Sequence, residues 1–235
     1  MVHLANRIER RRHDPSAEPR VEIGEAFRVD AHASGQSVGI GGWAPCRDKD
    51  GNLSTWESAW FSVEVTKDDA PWAFERGAPY RAIAALEALA TLVGVLAFAP
   101  RTPRQGDATA TLQGKTDNRG NQYARTRLQT SKYLLCLLMM ELSAQVESRS
   151  QRLLLRWAPR EVNEEADRLS NGLCAGFDPA KRINVNVRAA PWLVLNDLSS
   201  VGTEFYRQVN DLKQPQPCGN TFKRRSRKQS PLVAW

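Results

Sequence analysis

Four acidic residues carry most of the chemical information in this 235-residue chain. Asp30 sits in an alternating run, Ala26-Phe27-Arg28-Val29-Asp30-Ala31. Glu87 is the sole charged residue between Ala82 and Ala99. Asp117 follows the β-branched run that begins at Ala108, and Asp167 lies in a polar stretch after Trp157-Ala158-Pro159. A lone acid at a strand end is ordinarily a turn former or a solvated residue. Glu87 resists that account, because burying a carboxylate among apolar neighbours is costly unless something compensates it. Clustered carboxylates repel and hold protons tightly unless cations neutralise them. An oxygen-rich acidic cluster suits hard cations, so Mg²⁺ or Mn²⁺ is expected. Two such ions about 3.5–4 Å apart can clamp the attacking and leaving oxygens of a phosphodiester.

The elements that would position these acids are legible from periodicity. Residues 26–31 alternate as a strand ending at the Ser34-Gly35 turn. Residues 38–44 form a second strand, whose glycines permit close backbone approach or a bulge. Asp48–Asn52 is a turn with an Asp50-Gly51 step, and 60–65 is a third strand, completing an antiparallel meander. A helix over 80–98 places Leu86, Leu89, Val93 and Leu96 at helical spacing. Pro100, Pro103 and Gly106 end it. Residues 108–114 make a fourth strand, 121–147 one long helical stretch, and 153–157 a fifth strand stopped by Pro159. A short helix over 161–169 follows, with Gly172 as its cap. The order βββαβαβα predicts an α/β fold, a mixed five-stranded sheet with helices on both faces. Strands one and four lying side by side would bring Asp30 next to Asp117. The first helix would aim Glu87 at the same spot, and the last would add Asp167. Trp43 and Trp157 are expected in the core.

Composition bounds the rest. With 41% hydrophobic and 25% charged residues the chain is not wholly disordered. Of its net charge of +7, five charges lie in Lys223, Arg224, Arg225, Arg227 and Lys228, which leaves +2 on the remainder. Such a run reads as a nucleic-acid patch, a nuclear-import signal or a solvated tail. Cys46, Cys136, Cys174 and Cys218 form no CxxC pair, which argues against zinc and against a disulfide scaffold. The polar, Arg-rich start predicts no signal peptide and an intracellular chain, nuclear or cytoplasmic. Glu87 and the Ala-rich composition favour a buried helix over a membrane span at 82–99. Four segments are expected: a flexible extension over 1–20, a domain over 21–175, an extension over 176–212 and a disordered basic tail over 213–235. Within the extension, Pro191–Leu195 reads as a short strand or docking segment, and 203–212 as an amphipathic helix.

The stretch from Trp157 to Ser170 fits the pattern W-x-P-R-E-x-N-x-x-A-D-x-L-S. It resembles the end of a retroelement ribonuclease H domain, closest to DIRS-type and related reverse-transcriptase-associated domains. Thr116-Asp117-Asn118 is similar to that family's T-D-N at strand four, Val29-Asp30-Ala31 with Gly41-Gly42-Trp43 to its opening, and Leu86-Glu87-Ala88-Leu89 to its helix acid. The likeness spans residues 25–172. It implies a ribonuclease H-like fold and a metal-dependent endonuclease that cuts the RNA strand of RNA/DNA hybrids. Asp30, Glu87, Asp117 and Asp167 would be catalytic acids holding two Mg²⁺ or Mn²⁺ ions. Recognition would use shape and the 2′-hydroxyl. Partners implied are the hybrid and a reverse-transcriptase polymerase domain, with the chain a monomer and no membrane involved.

Departures matter too. Many members carry a histidine in a Gly-rich loop before the last acid. Here the loop is short and holds Arg160-Glu161, which predicts weaker turnover. His32 is the alternative proton carrier, or simply a surface histidine. No polymerase palm motif precedes the domain, so the chain reads as a separated module or a fragment. Candidate nucleic-acid contacts are Asn118, Arg119, Arg125 and Arg160, with Lys223, Arg224 and Arg225 in the tail. The competing roles are a turn for Asn118 and a solvated face for the arginines. The main alternative function is a catalytically inactive ribonuclease H-like module that binds nucleic acid or a partner. A basic partner-binding protein acting through its tail is a further one. Transposase-type enzymes and proofreading exonucleases fit worse; the latter need an acid where His32 stands.

Overall fold

The computed structural model of the chain describes residues 22–74, 77–99, 110–127, 130, 132–198 and 204. By its contacts the chain divides into Met1–Asn196 and Asp197–Trp235, and every element below belongs to the first unit. The expected extension over 1–20, the helix over 203–212 and the basic tail with Lys223, Arg224 and Arg225 fall outside the described residues, Glu204 aside.

Three long strands open the fold: β1 (Glu22–Ser34), β2 (Ser37–Arg47) and β3 (Leu53–Glu64). They pair antiparallel, Asp30 facing Gly41 and Gly41 facing Ser62. Gly35 and Gly51, both at positive φ, turn the two hairpins as the sequence predicts. A short helix α1 (Pro71–Phe74) and a 3₁₀ turn (Pro79–Ala82) lead into α2 (Ile83–Phe98). Strand β4 (Ala110–Thr116) and strand β5 (Gln151–Trp157) then extend the sheet in parallel, giving the order β3-β2-β1-β4-β5. Helix α5 (Glu164–Ser170) closes the domain. This is the mixed five-stranded, ribonuclease H-like arrangement with helices on both faces.

One expectation is corrected. The helical stretch over 121–147 is two helices, α3 (Arg119–Arg127) and α4 (Tyr133–Ser148). The Thr130 hydroxyl accepts the Lys132 N–H at 3.3 Å, and Lys132 is extended. A hydroxyl that captures a nearby N–H competes with the helix, and this contact lies just before the start of α4.

The main core lies between the sheet and α2 with α4. Phe27 and Val29 of β1, Leu86, Leu89 and Val93 of α2, and Leu138 and Leu142 of α4 are fully or almost fully buried there. Helix α2 is long and apolar enough to cross a membrane together with its 3₁₀ turn. In this fold its sides are taken by β1, β2 and α4. The opposite face holds a smaller core of Trp43, Trp60, Ala166, Leu169 and Phe177 beneath α5. There the glycines of β2 have a specific use. A Cβ on Gly41 would lie 2.3 Å from the Ser170 nitrogen, and one on Gly39 would lie 1.9 Å from the Ser170 oxygen. The α5 backbone therefore rests directly on the sheet. Gly172, at φ +76°, ends α5 as expected, with Leu173 N–H returning to the Arg168 carbonyl at 2.9 Å.

Residues beyond α5 pack onto the same unit. The Trp60 carbonyl accepts the Ile183 N–H at 2.7 Å, and Arg182 reaches the Ser62 carbonyl at 3.0 Å. The chain then crosses to α4, where Val187 and Leu195 enter the main core. Glu141 of α4, fully buried, accepts three successive backbone N–H groups: Leu193 at 2.9 Å, Val194 at 2.7 Å and Leu195 at 2.8 Å. Gln145 donates to the same carboxylate at 2.7 Å. Of the two expectations for 191–195, docking holds, and it is a buried acid that does it.

Two substitutions probe these contacts. Gly41→Ala forces α5 off the sheet and is expected to cost roughly 1–3 kcal/mol, read as a lower urea midpoint. Glu141→Leu removes the acceptor of three N–H groups, of which that of Leu195 is buried, and is expected to cost about 1–3 kcal/mol. Limited proteolysis between 186 and 195 should become fast while the sheet stays protected. Unchanged cleavage there would sink the docking role.

Candidate metal centre

Strand register builds the centre. Strands β1 and β4 run parallel, and their last paired residues are Arg28 and Lys115. Counting two places along each strand aligns Asp30 with Asp117. Helix α2 crosses this end of β1 and supplies Glu87 from its second turn. Ligand oxygens of Asp30, Glu87 and Asp117 all lie within 4.8 Å of one another. Asp30 and Glu87 are only 4% and 8% exposed, so their charge is poorly solvated.

Neighbouring groups fix each acid. The Asp117 carbonyl accepts the Trp157 indole N–H at 2.9 Å, which ties the end of β4 to the end of β5. Trp157 is therefore half-buried at the site's margin rather than a core residue, whereas Trp43 is in the core as expected. The Ala31 N–H donates to the Asp30 carboxylate at 2.8 Å. Asn118 serves twice: its Oδ1 accepts the Asn121 N–H at 3.0 Å and caps α3, and its side chain also hydrogen-bonds Glu87.

The electrostatics follow from crowding. Burial, then the charge of Asp117, pushes Asp30 up to about 8, against the Ala31 hydrogen bond. Burial, then the charges of Asp117 and Asp30, pushes Glu87 up to about 8. Burial raises Asp117 as well, opposed by its hydrogen bonds and by the Arg160 charge. Glu87 Oε2 and Asp117 Oδ1 are sealed from water and receive no hydrogen bond. Two bare carboxylate oxygens facing a third acid form a donor set that suits a hard divalent cation.

The fourth predicted acid is only partly in place. Asp167 is near enough to raise Asp30 and Asp117 by its charge, yet it lies outside the three-acid group. Its Oδ1 accepts Arg160 Nη2 at 2.7 Å, and the Arg160 side chain is 70% exposed. Arg160, a candidate nucleic-acid contact, is also an ion-pair partner of Asp167. Arg119 stacks over the Trp157 ring at 4.1 Å, at the edge of the site. Arg125 is elsewhere. Its charged neighbour is Arg152, at the opposite end of β5 from Trp157. His32 is partly exposed, two residues beyond Asp30 and opposite Gly39.

Two positioning groups escaped the sequence reading. Asn163, fully buried, donates to the Val29 carbonyl at 3.0 Å and pins the start of α5 beside Asp30. Its place inside the W-x-P-R-E-x-N pattern was the available signal. Arg28 donates to the Val162 carbonyl at 2.8 Å, stacks on Trp43 at 5.2 Å and pairs with Glu25. Lys115 joins the same Glu25 at 2.8 Å. Strand alternation put Arg28 on the Asp30 face, but nothing in the sequence named its partners.

No protein-family model matches the chain, and no curated protein matches it. Among solved structures the chain is similar to RNase H1 of the halophilic archaeon Halobacterium salinarum, at 17% identity over 66% of this chain and 97% of that one, with a TM-score of 0.38. It is similar to LC11-RNase H1, solved in complex with an RNA/DNA hybrid, at 17% identity over 62% and 93%, TM-score 0.43. The N-terminal RNase H domain of a Mycobacterium tuberculosis protein matches at 17% identity over 66% and 93%, TM-score 0.37.

The raised acids set a pH dependence. Their pKa values lie above the ordinary 3.8 and 4.5, so the folded chain binds protons more tightly than the unfolded one. Without divalent cations, stability should be full below about pH 4 and fall as pH rises through about 8. Glu87→Gln removes its share of that fall and should melt higher than the parent near pH 8. Adding Mg²⁺ should raise the parent's melting temperature more near pH 8 than near pH 5, since protons and cation compete. A Mg²⁺ effect independent of pH would contradict the assignment.

Proposed function

We propose that this chain is a divalent-metal-dependent ribonuclease H that hydrolyses the RNA strand of RNA/DNA hybrids, and that it derives from a retroelement. The observation that carries the reading is the meeting of Asp30, Glu87 and Asp117 within 4.8 Å, with two buried oxygens bare of hydrogen bonds. Those three residues would hold Mg²⁺ or Mn²⁺, with Asp167 at the open side. Bound cations supply charge neutralisation at the phosphate and lower the pKa of the attacking water. The chain's own groups then orient the reaction. Asn118 and Trp157 keep Glu87 and Asp117 fixed, and Asn163 holds α5 beside Asp30. Hydrolysis leaves 3′-hydroxyl and 5′-phosphate ends. The W-x-P-R-E-x-N-x-x-A-D-x-L-S match supports the retroelement origin, an intracellular setting and a reverse-transcriptase polymerase as partner.

One observation favours a second reading, a catalytically inactive module that binds nucleic acid. Asp167 is engaged by Arg160, so the fourth acid starts out neutralised. Cleavage of an end-labelled hybrid in Mg²⁺ and in Mn²⁺ separates the two. The active reading expects hybrid-only cutting, with all-DNA and all-RNA duplexes intact. Asp117→Asn should lower kcat/KM by roughly 100-fold or more, several kcal/mol of lost transition-state stabilisation. Folded protein that binds the hybrid but leaves it whole in both metals would establish the second reading.

A further inference from the structure

Arg125 of α3 has no role in the metal centre. Helix α3 packs on β5, and Arg125 is partly buried there with its Nε sealed from water and without an acceptor. Its charged neighbour is a second arginine, the exposed Arg152 of β5. Among the described residues no ion pair engages either side chain. A partly desolvated guanidinium beside another cation is unfavourable by itself. Burial and the charge of Arg152 both lower the pKa of the Arg125 guanidinium, which nonetheless stays charged. The arrangement is one that an anion would relieve. Guanidinium groups match the oxygens of a phosphate with paired donors, better than lysine would.

We propose that Arg125 and Arg152 form a phosphate subsite, separate from the metal centre, that takes a backbone phosphate of the bound nucleic acid. This rests on the ribonuclease reading only for the identity of the duplex. Its position gives it a reach. Arg152 is the second residue of β5 and Trp157, at the metal centre, is the last. Five residues of strand span roughly 16 Å, which corresponds to about five base-pair steps of a duplex. A hybrid whose axis follows β5 would meet this subsite about half a helical turn from the acids.

The test uses the full chain carrying Asp117→Asn, so that hybrid is bound and not cut. Arg152→Gln is the first variant, because Arg152 is exposed and its loss leaves the packing intact. Arg125→Gln is the second. Two readouts are taken. Melting temperature is compared in inorganic phosphate and in chloride at equal ionic strength. Affinity for a labelled hybrid is measured across a salt series. The subsite expects phosphate to raise the melting temperature more in the parent than in either variant. It also expects each variant to lose about tenfold in hybrid affinity, with the salt slope shallower by about 0.9. Equal phosphate responses in parent and variants would overturn the subsite. A phosphate response with unchanged hybrid affinity and slope would overturn its use by nucleic acid. Changed slopes beside a parent enzyme that cuts no hybrid would keep the subsite and remove the ribonuclease reading instead.

Discussion

Three carboxylates are held together where water hardly reaches, and most of the architecture serves to make that possible. Left free, Asp30, Glu87 and Asp117 would separate, because each is destabilised by burial and by the others. They are prevented by rigid parents. Asp30 is on the central strand, Asp117 leaves a strand whose end is tied to its neighbour through Trp157, and Glu87 is on a helix with no free side. An apolar α2 is the condition for a charged site, since only a helix wedged into the core can hold an acid against that repulsion.

Strand β1 shows how local the control is. Glu25 is partly buried, which pushes its carboxyl up, but Arg28 and Lys115 more than offset this and hold it below its ordinary value. Five residues on, Asp30 has acids where Glu25 has cations, and its pKa moves in the opposite direction. One strand thus carries a structural carboxylate that is already satisfied and a functional one that is not. The first ties β1 to β4 and fixes the register on which the second depends.

Much of this was legible in residue pattern. Period-two alternation located the strands, turn glycines located the hairpins, and an acid alone in an apolar helix announced Glu87. The glycines of β2 allow close approach, and α5 is what approaches. What escaped depends on partners distant in sequence. The division into α3 and α4 is accompanied by a hydroxyl contact just before α4, which the long apolar run conceals. Arg125 follows Asp117 closely in sequence, yet its charged neighbour is Arg152 at the other end of β5 from Trp157, a placement that sequence distance does not reveal. Arg160 and Asp167 are seven residues apart with a 3₁₀ turn between them, and only the folded turn reveals that they pair. Nor does any sequence rule foretell that Glu141 would satisfy backbone groups some fifty positions away.

The segment after α5 has a consequence for association. Strand β3 is an outer strand of the sheet, and an outer strand with open N–H and C=O groups can template pairing with another chain. Ile183 and Arg182 occupy the carbonyls of Trp60 and Ser62, and Trp60 forms a parallel bridge with Arg182. Around Trp60 and Ser62 that outer edge is thereby covered by the chain's own polypeptide. Removing residues 176–196 would expose these ladder groups and the apolar contacts of Val187 and Leu195 together, opening the covered part of β3 to strand addition.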